Sequence, residues 1–184
     1  GFVLLITIVL GFEESIPYRD KTAIAPRRLL HNYRRVLSDR ICVGYALVNG
    51  FSFGCLFAYV AGSPLVLIDV LGLSTTVYGW FFASTALAIM AGSFLNGRLN
   101  VRGVSPSRLL KVGLRLAVAS AIALVLVSIS KHIRVITLLP LLVLNTFCFG
   151  LIAPNAKYGA LQPLPEVAGV VAAVLGFTQM LLGG

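Results

Sequence analysis

Ile41 to Gly62 contains no charged side chain, and neither does Thr75 to Asn96. Two uninterrupted stretches of this length leave few folds open. At 1.5 Å per residue each makes a helix of about 33 Å, enough to cross a hydrocarbon core of about 30 Å. Three similar stretches follow: Leu109 to Ser130, with Lys111 and Arg115 confined to its first turns, then Ile133 to Pro154, and a fifth that starts after Pro165-Glu166 and runs to Gly184. Only 11% of the residues are charged, where a soluble domain carries roughly 25%, and the mean hydropathy is +0.95. Such a chain cannot cover itself with polar surface in water. The reading is an all-α integral membrane protein embedded in a lipid bilayer.

The connections between these stretches carry the orientation. Residues 13–40 hold seven Lys/Arg, the turn from Gly97 to Lys111 with Arg115 holds five, and Lys157 adds one on the same side. The opposite connections hold none in residues 63–74, and only Lys131 and Arg134 beyond Ser130. Lys and Arg accumulate in cytoplasmic loops, so thirteen against two predicts that residues 13–40 and 97–111 are cytoplasmic. The net charge of +9 therefore reports topology, and nucleic-acid binding is excluded. Within the long polar segment, Leu29, Leu30, Tyr33, Val36 and Leu37 fall on one helical face flanked by arginines. Two readings remain open there: a helix lying on the anionic inner leaflet, and a solvated linker that is helical only near the membrane.

Small residues repeat every fourth position along the first span, at Ala46, Gly50, Gly54, Ala58 and Gly62, a stripe suited to close helix contact. Ser63-Pro64 is expected to end that span, with Leu65 to Leu73 turning at the outer surface. Ser84, Ala88 and Gly92 form a shorter stripe in the second. Phe2 to Phe12 is too short to span and is read, with the run reaching Gly184, as a truncated helix. Cys42, Cys55 and Cys148 lie within apolar runs and read as small buried hydrophobes.

No catalytic or metal-binding arrangement is present in the sequence. His31 and His132 fall on opposite sides of the membrane, and no HExxH, P-loop or GxGxxG pattern occurs. What the spans offer is uncharged polarity near mid-depth: Asn49 and Ser52, Ser84 and Thr85, Asn145, and Gln179, accompanied by Tyr45, Phe53, Phe57 and Tyr59. Each amide alone is most simply an interhelical hydrogen bond. Together, amides at one depth with aromatics between them suit a midplane pocket for an amphipathic solute. Asn49, Asn145 and Gln179, with Tyr45, Phe53 and Phe57, are the candidates to line it. Glu166 is expected to complement the dipole of the helix it precedes, and Lys157 is placed to snorkel or to pair with it.

Several separate motifs then carry a resemblance: Ser63-Pro64 followed by LVLIDVLGLS, GSFLNGRL from Gly92, Ala153-Pro154-Asn155, and PEVAG from Pro165 running into LGFTQMLLG. In order and spacing they resemble the second half of the major facilitator superfamily, more narrowly its Bcr/CflA (bicyclomycin-resistance) drug-efflux branch. The resemblance implies a helical bundle in which residues 1–12 end helix 6, residues 13–40 form the central cytoplasmic loop, and residues 41–184 hold helices 7 to 10 and most of helix 11. It further implies a proton-coupled exporter of drug-like solutes in the inner (plasma) membrane, not an enzyme. No cofactor beyond the proton gradient is implied, and the full-length protein is expected to act as a monomer. Gly97, Arg98 and Arg102 resemble a degenerate copy of the superfamily's cytoplasmic loop signature, with Asn100 and Val101 standing where an acid is usual. That departure leaves the segment a packing and gating role. Lys157 stands where a small uncharged residue is expected. A sugar- or metabolite-specific permease of the same fold, or a non-transporting membrane protein, are the alternatives.

Overall fold

The computed structural model describes residues 25–130 and 134–184, together with Thr7 and Gly11. The expected opening helix (apart from those two residues), residues 13–24, and Lys131 and His132 of the expected outer turn lie outside the described residues. The main helices are α1 (Pro26–Ser38), α2 (Arg40–Pro64), α3 (Thr75–Val101), α4 (Pro106–Ile129), α5 (Val135–Leu161) and α6 (Ala168–Gly183). Five helical stretches, namely Arg40–Val70, α3, α4, α5 and Pro165–Gly183, are long and apolar enough to cross a membrane. The described residues form an all-α membrane bundle.

Local chemistry explains most of the starts. Pro26 and Pro106 occupy the first turns of α1 and α4, where a missing N–H costs nothing. Asp39 turns the chain between α1 and α2, and its carboxylate accepts from Cys42 N–H at 2.8 Å, a side-chain cap on the first span. Ser74 caps α3 in the same way, accepting from Val77 N–H.

Three expected endpoints are corrected, all in the same direction. Pro64 does not end the first span: the helix continues through Leu65–Val70 with π geometry. Leu71 N–H donates five residues back to Val66, a widened turn that absorbs the interruption made by proline's absent donor. The second span does not stop at Asn96 but runs to Val101, so Gly97 to Asn100 are helical. Its breaker is Gly103, at φ +84°, with Val104 N–H returning to Leu99 O at 3.0 Å, a Schellman-type stop that needs glycine. The fourth span does not stop at Pro154 but reaches Leu161. Pro154 leaves the Gly150 carbonyl without its helical donor, and Ser93 Oγ of α3 donates to that carbonyl at 3.4 Å. A neighbouring helix thus supplies what the proline removes.

α5 is the central helix, packed against α2, α3 and α4, while α2 also packs against α6. Three buried clusters run along the bundle. One gathers Val36, Cys42, Ala46, Ala160, Leu164, Val171 and Leu175 where α1 crosses the ends of α2, α5 and α6. Leu110, Cys148, Ile152 and Ala156 make the second, and Leu67, Phe81 and Leu138 the third at the far end. Large apolar side chains such as Leu47, Phe51, Phe94, Leu126 and Phe177 remain exposed, as a surface solvated by hydrocarbon requires.

The small-residue stripe of α2 is used only in part. Gly50 and Gly54 lie directly against the backbone of Thr178 and Leu182 in α6, whereas a side chain at Gly62 would meet nothing. An i+4 repeat drifts about 40° around a helix at each step. Five members therefore rotate off any one interface, and Ala58 and Gly62 border a different groove, facing Leu124 and Leu142.

Candidate functional site

Position around each helix, in addition to depth, decides which polar side chains meet. Asn49 on α2 and Gln179 on α6 do: Asn49 Nδ2 donates to Gln179 Oε1 at 3.4 Å. Asn49 is 2% exposed, so the amide is held in place by packing. The bond is long for an amide pair, and Asn49 Oδ1 and Gln179 Nε2 keep hydrogen-bonding capacity for a third group. Phe53 lies one turn further along α2, its ring against Gly183, and its centroid is 5.7 Å from that of Phe57. Two amides and the Phe53 ring therefore share the α2–α6 seam, and Phe57, exposed, stands beside Phe53.

Asn145 goes elsewhere. Its Nδ2 donates to Ser120 Oγ of α4 at 3.0 Å. Together with Ser52, Phe51, Cys55, Ala117 and Phe149 it lines a cavity of about 240 Å³ among α2, α4 and α5. Tyr45 is a turn closer to α1, with its ring against Gly159 of α5, among residues of both neighbouring apolar clusters. The six pocket candidates thus occupy three places: Asn49, Gln179 and Phe53, with Phe57 beside it, along one seam, Asn145 in a second, and Tyr45 at the α1 end. Toward the far end Tyr59 is hydrogen-bonded to Thr85 at 2.9 Å, and Ser63 to Tyr78 at 3.0 Å, tying α2 to α3.

At the α1 end a further polar group stands that the mid-depth reading passes over. Asn155 Nδ2 of α5 donates to Asn96 Oδ1 of α3 at 2.5 Å and to Leu151 O at 2.7 Å. Both asparagines are buried. Asn100 Oδ1, one turn on, is buried without a hydrogen-bond partner among the described residues. The three amides border a cavity of about 450 Å³ with Ser105 and Tyr158. The signal in sequence was the pair of motifs themselves, GSFLNGRL and Ala153-Pro154-Asn155, whose asparagines meet across α3 and α5. Gly97 and Arg102 are exposed and, with Arg98, border an open groove on the outer side of α3.

Glu166 lies in the 3₁₀ turn Pro165–Val167 that leads into α6. It is the acidic residue of that first turn, and its carboxylate pairs with Arg35 of α1 at 2.5 Å. Lys157, which from sequence is placed either to snorkel or to pair with Glu166, is exposed on α5, and the pairing is made by Arg35. Arg35 was not singled out because the register between α1 and α6 is a tertiary fact that spacing does not contain. Among the described residues no group of His, Cys, Asp and Glu is placed to hold a metal ion.

The sequence pattern of the Major Facilitator Superfamily matches residues 1–184. The chain is 32% identical to the uncharacterized MFS-type transporter YdgK of Bacillus subtilis over 186 residues, covering 100% of this chain and 45% of that protein. It is 27% identical to a bicyclomycin resistance protein homolog of Haemophilus influenzae, over 84% of this chain and 38% of that protein. It is 29% identical to the multidrug transporter MdfA of Escherichia coli O6:H1, over 94% of this chain and 42% of that protein. The chain thus spans less than half the length of each of these relatives.

Proposed function

The chain belongs to the Major Facilitator Superfamily, and from that premise we propose that it is part of a proton-coupled exporter of drugs or other amphipathic small molecules. Transport would proceed by alternating access, the helices described here rocking as a unit against the rest of the protein about a central site. Residues 13–40 and the turn after α3 would face the cytoplasm, a placement that the distribution of Lys and Arg supports. One observation carries the reading. The Asn49–Gln179 pair, with the Phe53 ring one turn further along the same seam, is uncharged yet able to hydrogen-bond, which suits solutes that are apolar over most of their surface with a few polar atoms. The likeness to proteins named for bicyclomycin resistance and multidrug transport supports this choice of solute class. None of the six Asp and Glu residues falls in the middle of a span, so the proton-carrying acid belongs to a part of the protein outside this chain.

The test is efflux of a lipophilic cationic dye from cells expressing the full-length protein, with and without a protonophore. Wild type should export dye, and the protonophore should abolish export; indifference to it would remove proton coupling from the proposal. Gln179→Ala should slow efflux several-fold at unchanged membrane abundance. Asn145→Ala, which opens the second cavity, should alter resistance to some compounds and spare others. Wild-type resistance of both variants to every compound tested would sink the pocket assignment, and sugar uptake in place of dye export would replace the solute class.

A further inference from the structure

The helix α1 is docked along one edge of its apolar face and open along the other. Val36 is fully buried against α2, α5 and α6, and Arg35 is held by Glu166. Leu30 and Leu37 are nonetheless 72% and 60% exposed, with Tyr33 between them at 38%. Leu30 and Leu37 are seven residues apart, two helical turns, and so stand in one row. Arg27 and Arg34, three residues before each, form a second row alongside. The helix contains four arginines and no acid. The nearest carboxylate in sequence, that of Asp39, is engaged in capping Cys42.

This combination limits what lies against the open edge. A leucine row facing water would be an unpaired apolar surface, whereas a wholly apolar partner would leave the arginine row beside it without compensating charge. The chain passes from Ser38 of α1 directly into α2 at Arg40, a membrane-crossing helix whose side chains Ile41, Leu47 and Phe51 are exposed as well. The same medium must therefore serve both, apolar below and anionic at its margin. We infer that α1 is an interfacial helix whose open edge binds anionic phospholipid, with Leu30, Tyr33 and Leu37 among the acyl chains and Arg27 and Arg34 on the headgroup phosphates. Docking by Val36 and Arg35 fixes the helix at the depth and rotation that this requires, so the lipid site is part of the folded protein. It rests on the position of α1 and is independent of which solute is carried.

Native mass spectrometry of the full-length protein in detergent, titrated with dioleoylphosphatidylglycerol or dioleoylphosphatidylcholine, tests this. Wild type should retain the anionic lipid in preference. The double variant Arg27→Gln/Arg34→Gln should lower phosphatidylglycerol retention by at least about fivefold, since each basic side chain near the surface contributes several-fold, and should leave phosphatidylcholine retention unchanged. Leu30→Ser/Leu37→Ser should weaken retention of both lipids. All four positions are exposed, so the fold tolerates the changes, and dye efflux by the arginine variant separates loss of this site from loss of the transport site. Equal retention of the two lipids by wild type, or unchanged phosphatidylglycerol retention by the arginine variant, overturns the inference.

Discussion

Gly150→Val should remove the protein from the membrane fraction, and Gly150→Ala should already lower its thermal stability. At this point α3 and α5 cross with backbone against backbone. A Cβ on Gly150 would fall inside the contact distance of the Ile89 carbonyl and, at 2.8 Å, of Ser93 N. Gly92, its opposite number, would meet the Phe147 carbonyl and Gly150 Cα. Neither obstacle is the end of a flexible side chain, so relief requires the helices to move apart. Overpacking of a core typically costs about 1–3 kcal/mol, and separation here would also lengthen the Ser93–Gly150 hydrogen bond that compensates Pro154. Gly79→Ala, on α3, is the control: its added Cβ meets nothing within 4 Å, and alanine is the better helix former by about 1 kcal/mol. Detergent melting curves should rank Gly79→Ala at or above wild type and Gly150→Ala below it, and immunoblots of the membrane fraction should show Gly150→Val missing. A Gly150→Val protein that accumulates and melts like wild type would show that the crossing is not as close as described.

The same crossing shows why parts of the bundle could be read from sequence and others could not. Hydrocarbon demands that lipid-facing side chains be predominantly apolar and that backbone groups be paired within the protein, so the five spans stand out by composition alone. Their endpoints do not. Pro64, Asn96 and Pro154 each look like a terminator by the habits of water-soluble helices, yet all three helices continue. In each case the reason is local or tertiary: a π turn after Pro64, no breaker before Gly103, and a hydroxyl from α3 for the carbonyl that Pro154 abandons. Amphipathic α1 was legible because its period is its signal, although the burial of Val36 and the pairing of Arg35 were not.

The candidate site divides along the same line. Position along a span gives depth, and by depth Asn49, Asn145 and Gln179 form one set. Which amides face each other depends on rotation about each helix, and that is fixed by close contacts such as those of Gly50 and Gly54 with α6. These contacts turn Asn49 toward Gln179, while Asn145 faces Ser120. Glycine positions hold the information, but a stripe that drifts about 40° per step does not say which of its members is used until the partner helix is in place.

Asn155→Leu should destabilise the bundle by about 1–2 kcal/mol, the upper part of the range for hydrogen bonds between membrane helices. The change removes both hydrogen bonds made by Asn155 Nδ2 and leaves Asn96 Oδ1 buried without its donor. Asn96→Leu should cost less, because Asn155 retains its bond to the Leu151 carbonyl. The double variant Asn96→Leu/Asn155→Leu should then be less unstable than the sum of the two, since no polar atom of the pair is left unsatisfied. A double-mutant cycle read from melting temperatures measures that difference, and strict additivity would show that the asparagines do not act as a pair. The cycle should also give the same coupling at pH 5.5 and pH 8, because neither amide titrates. Asn100 stands beside this pair in the position where an acid was expected, so the clasp between α3 and α5 at the α1 end is built without a carboxylate. Its strength is therefore set by packing and amide geometry, and protonation of a side chain within it plays no part.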